Sequence, residues 1–296
     1  MTIHLDTFDV GVAALLVLVN AAASLALGLQ VHRQLLWSAF RMVVQLLLVG
    51  YVLRAVFAAS SVPATLGIVA LMILAAAREV AVRPRQRLVK GGNFRIGALV
   101  VTVSSIVTVA LALTTAIRPV PWHDPRYAIP LMGIVLGSVL NSASLGLDSF
   151  FEDVRVRRAA IEARLALGAT ARQALAETVR ASIRRGMIPL VNQMSAAGII
   201  TLPGIMTGQL LAGMDPLEAA KYQILLLFLL SGAGGIAAAG AVYLAARSVT
   251  DERDRLRIDR LQAPAKRRAT PSAAPNARPP AVRARAEDKG TPPKAG

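Results

Sequence analysis

The sequence predicts an all-α integral membrane protein of about seven transmembrane helices, N-terminus outside and C-terminus in the cytoplasm. Three observations predict it. Apolar residues make up 55% of the 296-residue chain, above the usual share for a soluble domain. Most apolar runs are about 20 residues long, the length a helix needs to cross a hydrocarbon core of roughly 30 Å. Lys and Arg alternate between rich and poor connections along the chain.

The spans fall at about 9–29, 35–57, 62–77, 96–117, 127–147, 187–212 and 217–246. The opening MTIHLDTFDV lacks the basic start of a signal peptide, so the first run is expected to remain as a span. The third is short and is expected to run on through Arg78 and Glu79. TLPG interrupts the sixth at residues 201–204, because Pro removes a backbone donor and Gly adds freedom. Segment 78–95 carries 6 basic residues and 148–186 carries 8, against 2 in 118–126 and the single Lys221 near the sixth connection. The positive-inside rule then fixes the orientation, and an even number of spans would put a rich segment outside.

Net charge is +16, but its placement points away from nucleic acid. Residues 247–296 hold 13 Lys/Arg against 6 Asp/Glu, and the basic loops carry too few aromatics (Phe94, Phe150 and Phe151) to build a base-stacking surface. After Arg247 the helix is expected to continue through DERDRLRIDR. Beyond it the Pro, Ala, Arg and Gly of 262–296 cannot bury enough apolar surface to stay ordered. The expected organisation is a transmembrane domain over 1–247, with a cytoplasmic loop at 148–186, and a basic, largely disordered tail over 248–296. That tail is read as solubilising, with attraction to anionic lipid heads as the alternative.

Cysteine is absent and the three histidines (His4, His32, His123) are dispersed, which excludes thiolate metal sites and disulfides. No acidic residue sits in the middle of a span; Asp148 and Asp215 lie at ends. Proton-coupled carriers and intramembrane hydrolases need a titratable group at depth, so both classes are disfavoured. No G-x-x-x-x-G-K-[ST] motif occurs in the sequence. Any ATP is therefore expected to be used by a separate subunit, with no cofactor bound by this chain.

The basic loop contains EARLALGATARQALAETVR, residues 162–180. Ala171, Ala174, Leu175, Thr178, Val179, Ser182 and Ile183 form an unbroken stripe at helical spacing. A second helix precedes it from about Glu152 to Leu167. Gly168 suits a left-handed helix end, and Thr170 suits an N-cap. The spacing predicts helix, tight turn, helix. Its small side chains suit docking to protein better than insertion among lipid head groups, the other use of such an element.

Two polar constellations are candidates for a translocation path. Arg41 and Gln45 share one face of the second span. Arg41 lies about 9 Å from the cytoplasmic end, so it serves either a structural role (snorkelling or bonding a neighbouring helix) or the pathway. Asn192, Gln193 and Met194 form a polar patch early in the sixth span. Beyond it Pro203 and Gly204 break the helix ahead of Met206 and Gln209. Carbonyls freed at that break, with the thioether and the amide, could hold a cation weakly. The competing reading makes Met206 lipid-facing and bonds Gln209 to a neighbouring helix. A tight metal cage is not predicted.

EARLALGATARQ, followed downstream by RGMIPLV, resembles the EAA-type cytoplasmic loop of ABC transporter permeases. The resemblance implies that Glu162, Ala163, Gly168 and the adjoining Ala169 lie on the element that plugs into the ATPase subunit; Arg164 stands where that motif has Ala. LPGIMTGQLLAGMDPLEAAKYQI (202–224), LLWSAFRMVVQLLLVGYVL (35–53) and PLMGIVLGSVLNSASLGL (130–147) are similar to the FetB-type permeases. These are bacterial iron-export ABC permeases with plant relatives linked to aluminium tolerance. Ile205 replaces the first Met of the usual Met-Met pair, and Ser138 stands where Asn usually follows Gly137. The resemblance spans about residues 10–247. It implies a bacterial inner-membrane permease, a homodimer in lipid with two ABC ATPase subunits, exporting iron or another metal ion. An ATP-independent channel or scaffold, its basic loop docking another partner, is the alternative.

Overall fold

Long apolar runs leave the backbone no partner but itself, and they become helices. A computed structural model describes residues 7–59, 61–118 and 124–262. Their elements in order are α1 (Thr7–Ala26), α2 (His32–Ala59), α3 (Val62–Val82), β1 (Arg87–Leu88), α4 (Gly92–Leu111), a π-helical turn (Ala112–Ile117), α5 (Pro125–Val156), α6 (Arg158–Ala166), α7 (Ala171–Ala196), α8 (Gly204–Leu211), α9 (Pro216–Ser248) and β2 (Leu261–Gln262). Short 3-10 turns lie at Val89–Gly91 and Ile258–Arg260.

Six helices among the described residues are long and apolar enough to cross a bilayer: α1 to α5 and α9. The expected sixth span is not one such helix. Residues 187–196 are the end of α7, which starts at Ala171 inside the basic loop. The helix then breaks as TLPG predicts. Gly198 takes a φ of +85°, its N–H donates to the Thr201 carbonyl at 2.9 Å, and Pro203 precedes α8. At eight residues α8 is about 12 Å long, too short to span. A seventh crossing would therefore be the broken unit α7–α8.

The helices also overrun the expected loop limits. α5 passes Asp148 and runs to Val156, so residues 148–156 and 171–186 are helix continuous with the bundle. Hydropathy marks where lipid ends, whereas a helix stops only at a capping residue or a breaker.

α5 is the central helix, packed on α3, α4, α7 and α9. Val135, Val139, Ala143, Leu147, Phe150 and Val154 along it are fully buried. Where α5, α7 and α9 meet, small residues bring the backbones together: Gly146, Gly186, Gly234 and Ala238. By contrast α1 and α2 pair with each other and only lightly touch the rest. Leu16, Leu46 and Tyr51 stay 72%, 64% and 74% exposed on them.

α9 ends at Ser248 instead of continuing through DERDRLRIDR. Asp251 ends it. One of its carboxylate oxygens accepts the backbone N–H groups of Arg253 (3.1 Å) and Arg255 (2.9 Å), and the other accepts the Arg255 Nε–H at 2.9 Å. The chain turns back, and Arg260 Nη1 donates to the carbonyls of Ser248 and Thr250. β2 then pairs antiparallel with β1, Leu261 opposite Leu88 and Gln262 opposite Arg87. Residues 249–262 are thus a folded clasp on the connection between α3 and α4. Of residues 262–296, expected to be disordered, Gln262 is instead paired in β2, and 263–296 lie outside the described residues.

The clasp carries a pH prediction. Hydrogen bonds from Arg255, its backbone N–H first, hold the Asp251 carboxyl down to about 2. A folded pKa below the unfolded one gives stability that is complete above about pH 4 and is lost as pH falls through the folded value. Pepsin is expected to spare 249–262 at pH 3 and to cut it near pH 2. The Asp251→Asn protein is cut across that whole window. Equal cleavage of both proteins at pH 3 would remove the role given to Asp251.

Candidate coupling loop and translocation clefts

The loop between α5 and α7 is built as its local chemistry requires. The α6 helix ends at Ala166 with Leu167 as its C-cap; the Gly168 N–H donates to the Leu165 carbonyl (3.0 Å), and Gly168 takes a φ of +91°. The Ala169 N–H donates to the Arg164 carbonyl at 3.1 Å. Thr170 then opens α7 with a capping box: its hydroxyl accepts the Gln173 N–H, and the Gln173 side chain accepts the Thr170 N–H at 3.0 Å. The Asp254 carboxylate of the clasp accepts the next orphan donor, the Ala171 N–H, at 2.9 Å. Glu177 bridges Arg157 (2.7 Å) and Arg164 (3.2 Å) across the loop. Those two guanidiniums, Arg157 first, hold the Glu177 carboxyl below its ordinary value.

The stripe on α7 faces inward. Ala174, Leu175, Thr178, Val179 and Ser182 are buried, and α7 packs on α5 and α9. The exposed apolar surface belongs to α6 and its flanks. Ile161 is buried, while Ala159, Ala160 and Ala163 are exposed, with Val156 67% and Leu167 88% exposed at the two ends. Glu162 borders this face and pairs with Arg158 at 2.8 Å. The stripe that periodicity marks for docking is thus covered within the chain, because spacing alone cannot say which partner covers a stripe.

The translocation candidates fall in separate places. Arg41 and Gln45 line a cleft of about 680 Å³ between α2, α3 and α5, with Glu79, Arg83 and Gly137. Arg41 Nη2 lies 3.6 Å from Glu79 Oε1 of α3, a loose ion pair to a neighbouring helix. Gln193 lines a smaller cleft of about 190 Å³ with Ser138, Asn141, Ser142, Pro189 and Leu230. Ser138 there donates to the Leu230 carbonyl at 3.2 Å. Asn192 lies on another surface of α7, beside Arg184 and Met187, and Met194 is 40% exposed. Pro203, Gly204, Met206 and Gln209 belong to the break and to α8, which packs on α9. Among the described residues Gln209 Oε1 is buried without a hydrogen-bond partner, so the bond expected from it to a neighbouring helix is not made there by that atom.

Asn141 and Glu79 were not singled out as candidates from sequence. Asn141 lines the smaller cleft, and its Oδ1 accepts from Arg83 Nη1 of the larger one at 2.8 Å. Its signal was a polar residue at i, i+3 from Ser138 inside an apolar helix. Among the described residues no group of three His, Asp or Glu converges as a metal site.

A family model described as "Uncharacterised protein family (UPF0014)" matches residues 7–250. The chain is 40% identical over 232 residues to the UPF0014 membrane protein slr1647 of Synechocystis, covering 77% of this chain and 87% of that protein. It is 32% identical over 255 residues to the "Probable iron export permease protein FetB" of Escherichia coli, covering 86% and 96%. Protein ALUMINUM SENSITIVE 3 of Arabidopsis thaliana is 28% identical over 232 residues, covering 78% and 83%. No solved structure matches the chain.

Proposed function

The chain belongs to the UPF0014 family, and from that premise we propose that it is the permease subunit of an ABC transporter exporting a metal ion. Iron is the proposed cargo, carried over from the printed name of the Escherichia coli relative. ATP is used by a separate ATPase subunit docked on the cytoplasmic loop, and two permeases work together in the bacterial inner membrane, N-terminus out and C-terminus in.

The observation that carries this reading is the outer face of α6. It is short, apolar, uncovered in the single chain, and held by a capped turn on helices continuous with the bundle. A push on α6 reaches α5 and α7 without crossing a flexible linker. The exposed apolar sides of α1 and α2 support contact with lipid or a second permease.

The test is transport by inverted membrane vesicles holding the chain and its ATPase. ATP-dependent iron uptake is the expected result. Uptake that proceeds equally without ATP would transfer the reading to an ATP-independent channel.

A further inference from the structure

The cleft between α2, α3 and α5 holds more positive charge than its carboxylate can balance. Arg41, Arg78 and Arg83 line it, together with Glu79 as the acidic member. Glu79 is shared, lying 3.6 Å from Arg41 and 3.7 Å from Arg83. Both separations are long beside the 2.7–2.8 Å of the one-to-one pairs Arg155–Glu152 and Arg158–Glu162. Arg78 has no carboxylate partner among the described residues. Three guanidiniums against one carboxylate leave a formal surplus of two positive charges along the cleft, on α2 and at the C-terminal end of α3. The Arg41 and Arg83 side chains are 55% and 45% exposed, so their donors stay open to an entering anion, which the surplus attracts.

The neighbouring groups suit an anion as well. Ser38 and Gln45 add donors to the cleft, and Asn141 fixes the Arg83 fork by accepting from Nη1 at 2.8 Å. Planar guanidiniums present paired N–H groups that match two oxygens on one centre. A cation would meet three like charges and a carboxylate already engaged. The volume of about 680 Å³ exceeds what one inorganic oxyanion fills.

We propose that this cleft is an anion site for a phosphate or polycarboxylate group, held by Arg41, Arg78 and Arg83 with Glu79 as the competing internal anion. The group has two possible sources: the phosphate of an anionic bilayer lipid, or a soluble polycarboxylate that can also chelate a metal. The site belongs to the chain alone and stands or falls independently of any ATPase.

The test uses the full chain in nanodiscs. In one arm, native mass spectrometry counts phosphatidylglycerol kept by the chain after mixed phosphatidylcholine–phosphatidylglycerol discs are dissolved. In the other, labelled citrate is titrated onto the chain in pure phosphatidylcholine. Retained phosphatidylglycerol identifies the lipid source, and bound citrate identifies the soluble one. In whichever arm binds, Arg41→Gln and Arg83→Gln each weaken binding by about ten-fold, as for loss of one partly solvated charge contact. Glu79→Gln strengthens it, because the competing carboxylate is gone. That opposite sign separates a binding role from simple misfolding. No binding in either arm overturns the proposal, as does weaker binding by Glu79→Gln or binding unchanged by the arginine variants.

Discussion

The Glu162→Lys and Ala163→Arg proteins are expected to reach the membrane at the normal level and to fail to transport. Glu162 pairs with Arg158 on the solvent side of α6, where the two side chains are 43% and 58% exposed. An exposed helix pair of this kind contributes under about 1 kcal/mol, so its loss leaves the fold intact. Ala163 is exposed, so a larger side chain there can extend into solvent. What both changes alter is the proposed ATPase contact. Lys at 162 places a second cation beside Arg158, and Arg at 163 puts bulk and charge on an apolar docking face. A central interface residue is worth about 2 kcal/mol or more, so coupling should fall about thirty-fold or further. The measurement is ATP-driven transport normalised to membrane protein level. Normal transport by both variants would remove α6 from the mechanism.

Gly186→Val has the largest expected effect on the fold itself. A Cβ at Gly186 would lie 2.8 Å from the Ser142 carbonyl oxygen, 3.0 Å from the Ala238 Cβ and 3.4 Å from the Gly146 Cα. Two of these are backbone atoms of α5, so no side-chain rotation relieves the contact, and α7 must move off α5. Forced overpacking of this kind costs about 3 kcal/mol or more. Thermal unfolding in detergent is expected to show a large drop in Tm or loss of a monodisperse species. Gly67→Ala is the matched control. Gly67 lies inside α3 with open space where its Cβ would stand, and Ala is the better helix former, so Tm should hold or rise. A tolerated Gly186→Val would show that the α5–α7 approach is looser than described.

Much of the fold was legible because membrane helices are specified locally. The runs that became α1 to α5 and α9 needed only length and apolarity. The Gly168–Thr170 turn needed only two residues whose conformational preferences act on their own backbone. Extents were harder: nothing near Asp148 or Gly186 caps a helix, so α5 and α7 run through the points where hydropathy changes. The clasp was invisible because the pairing of Leu88 with Leu261 joins segments far apart in the chain. DERDRLRIDR reads as helix until Asp251 is seen gathering donors from Arg253 and Arg255. At the candidate site the polar residues within apolar helices were visible, but their grouping was not. Arg41 and Gln45 meet Glu79 and Arg83, Gln193 meets Ser138 and Asn141, and Met206 and Gln209 stay on α8. Only packing decides such neighbours.

The most direct measurement is affinity purification of the full chain from its native membrane in mild detergent, with identification of whatever accompanies it. The expected result is a stoichiometric second polypeptide carrying a G-x-x-x-x-G-K-[ST] motif, lost from the Ala163→Arg protein while the permease itself is recovered unchanged. Recovery of the wild-type chain without such a subunit, or its full retention by Ala163→Arg, would contradict docking of an ATPase on α6.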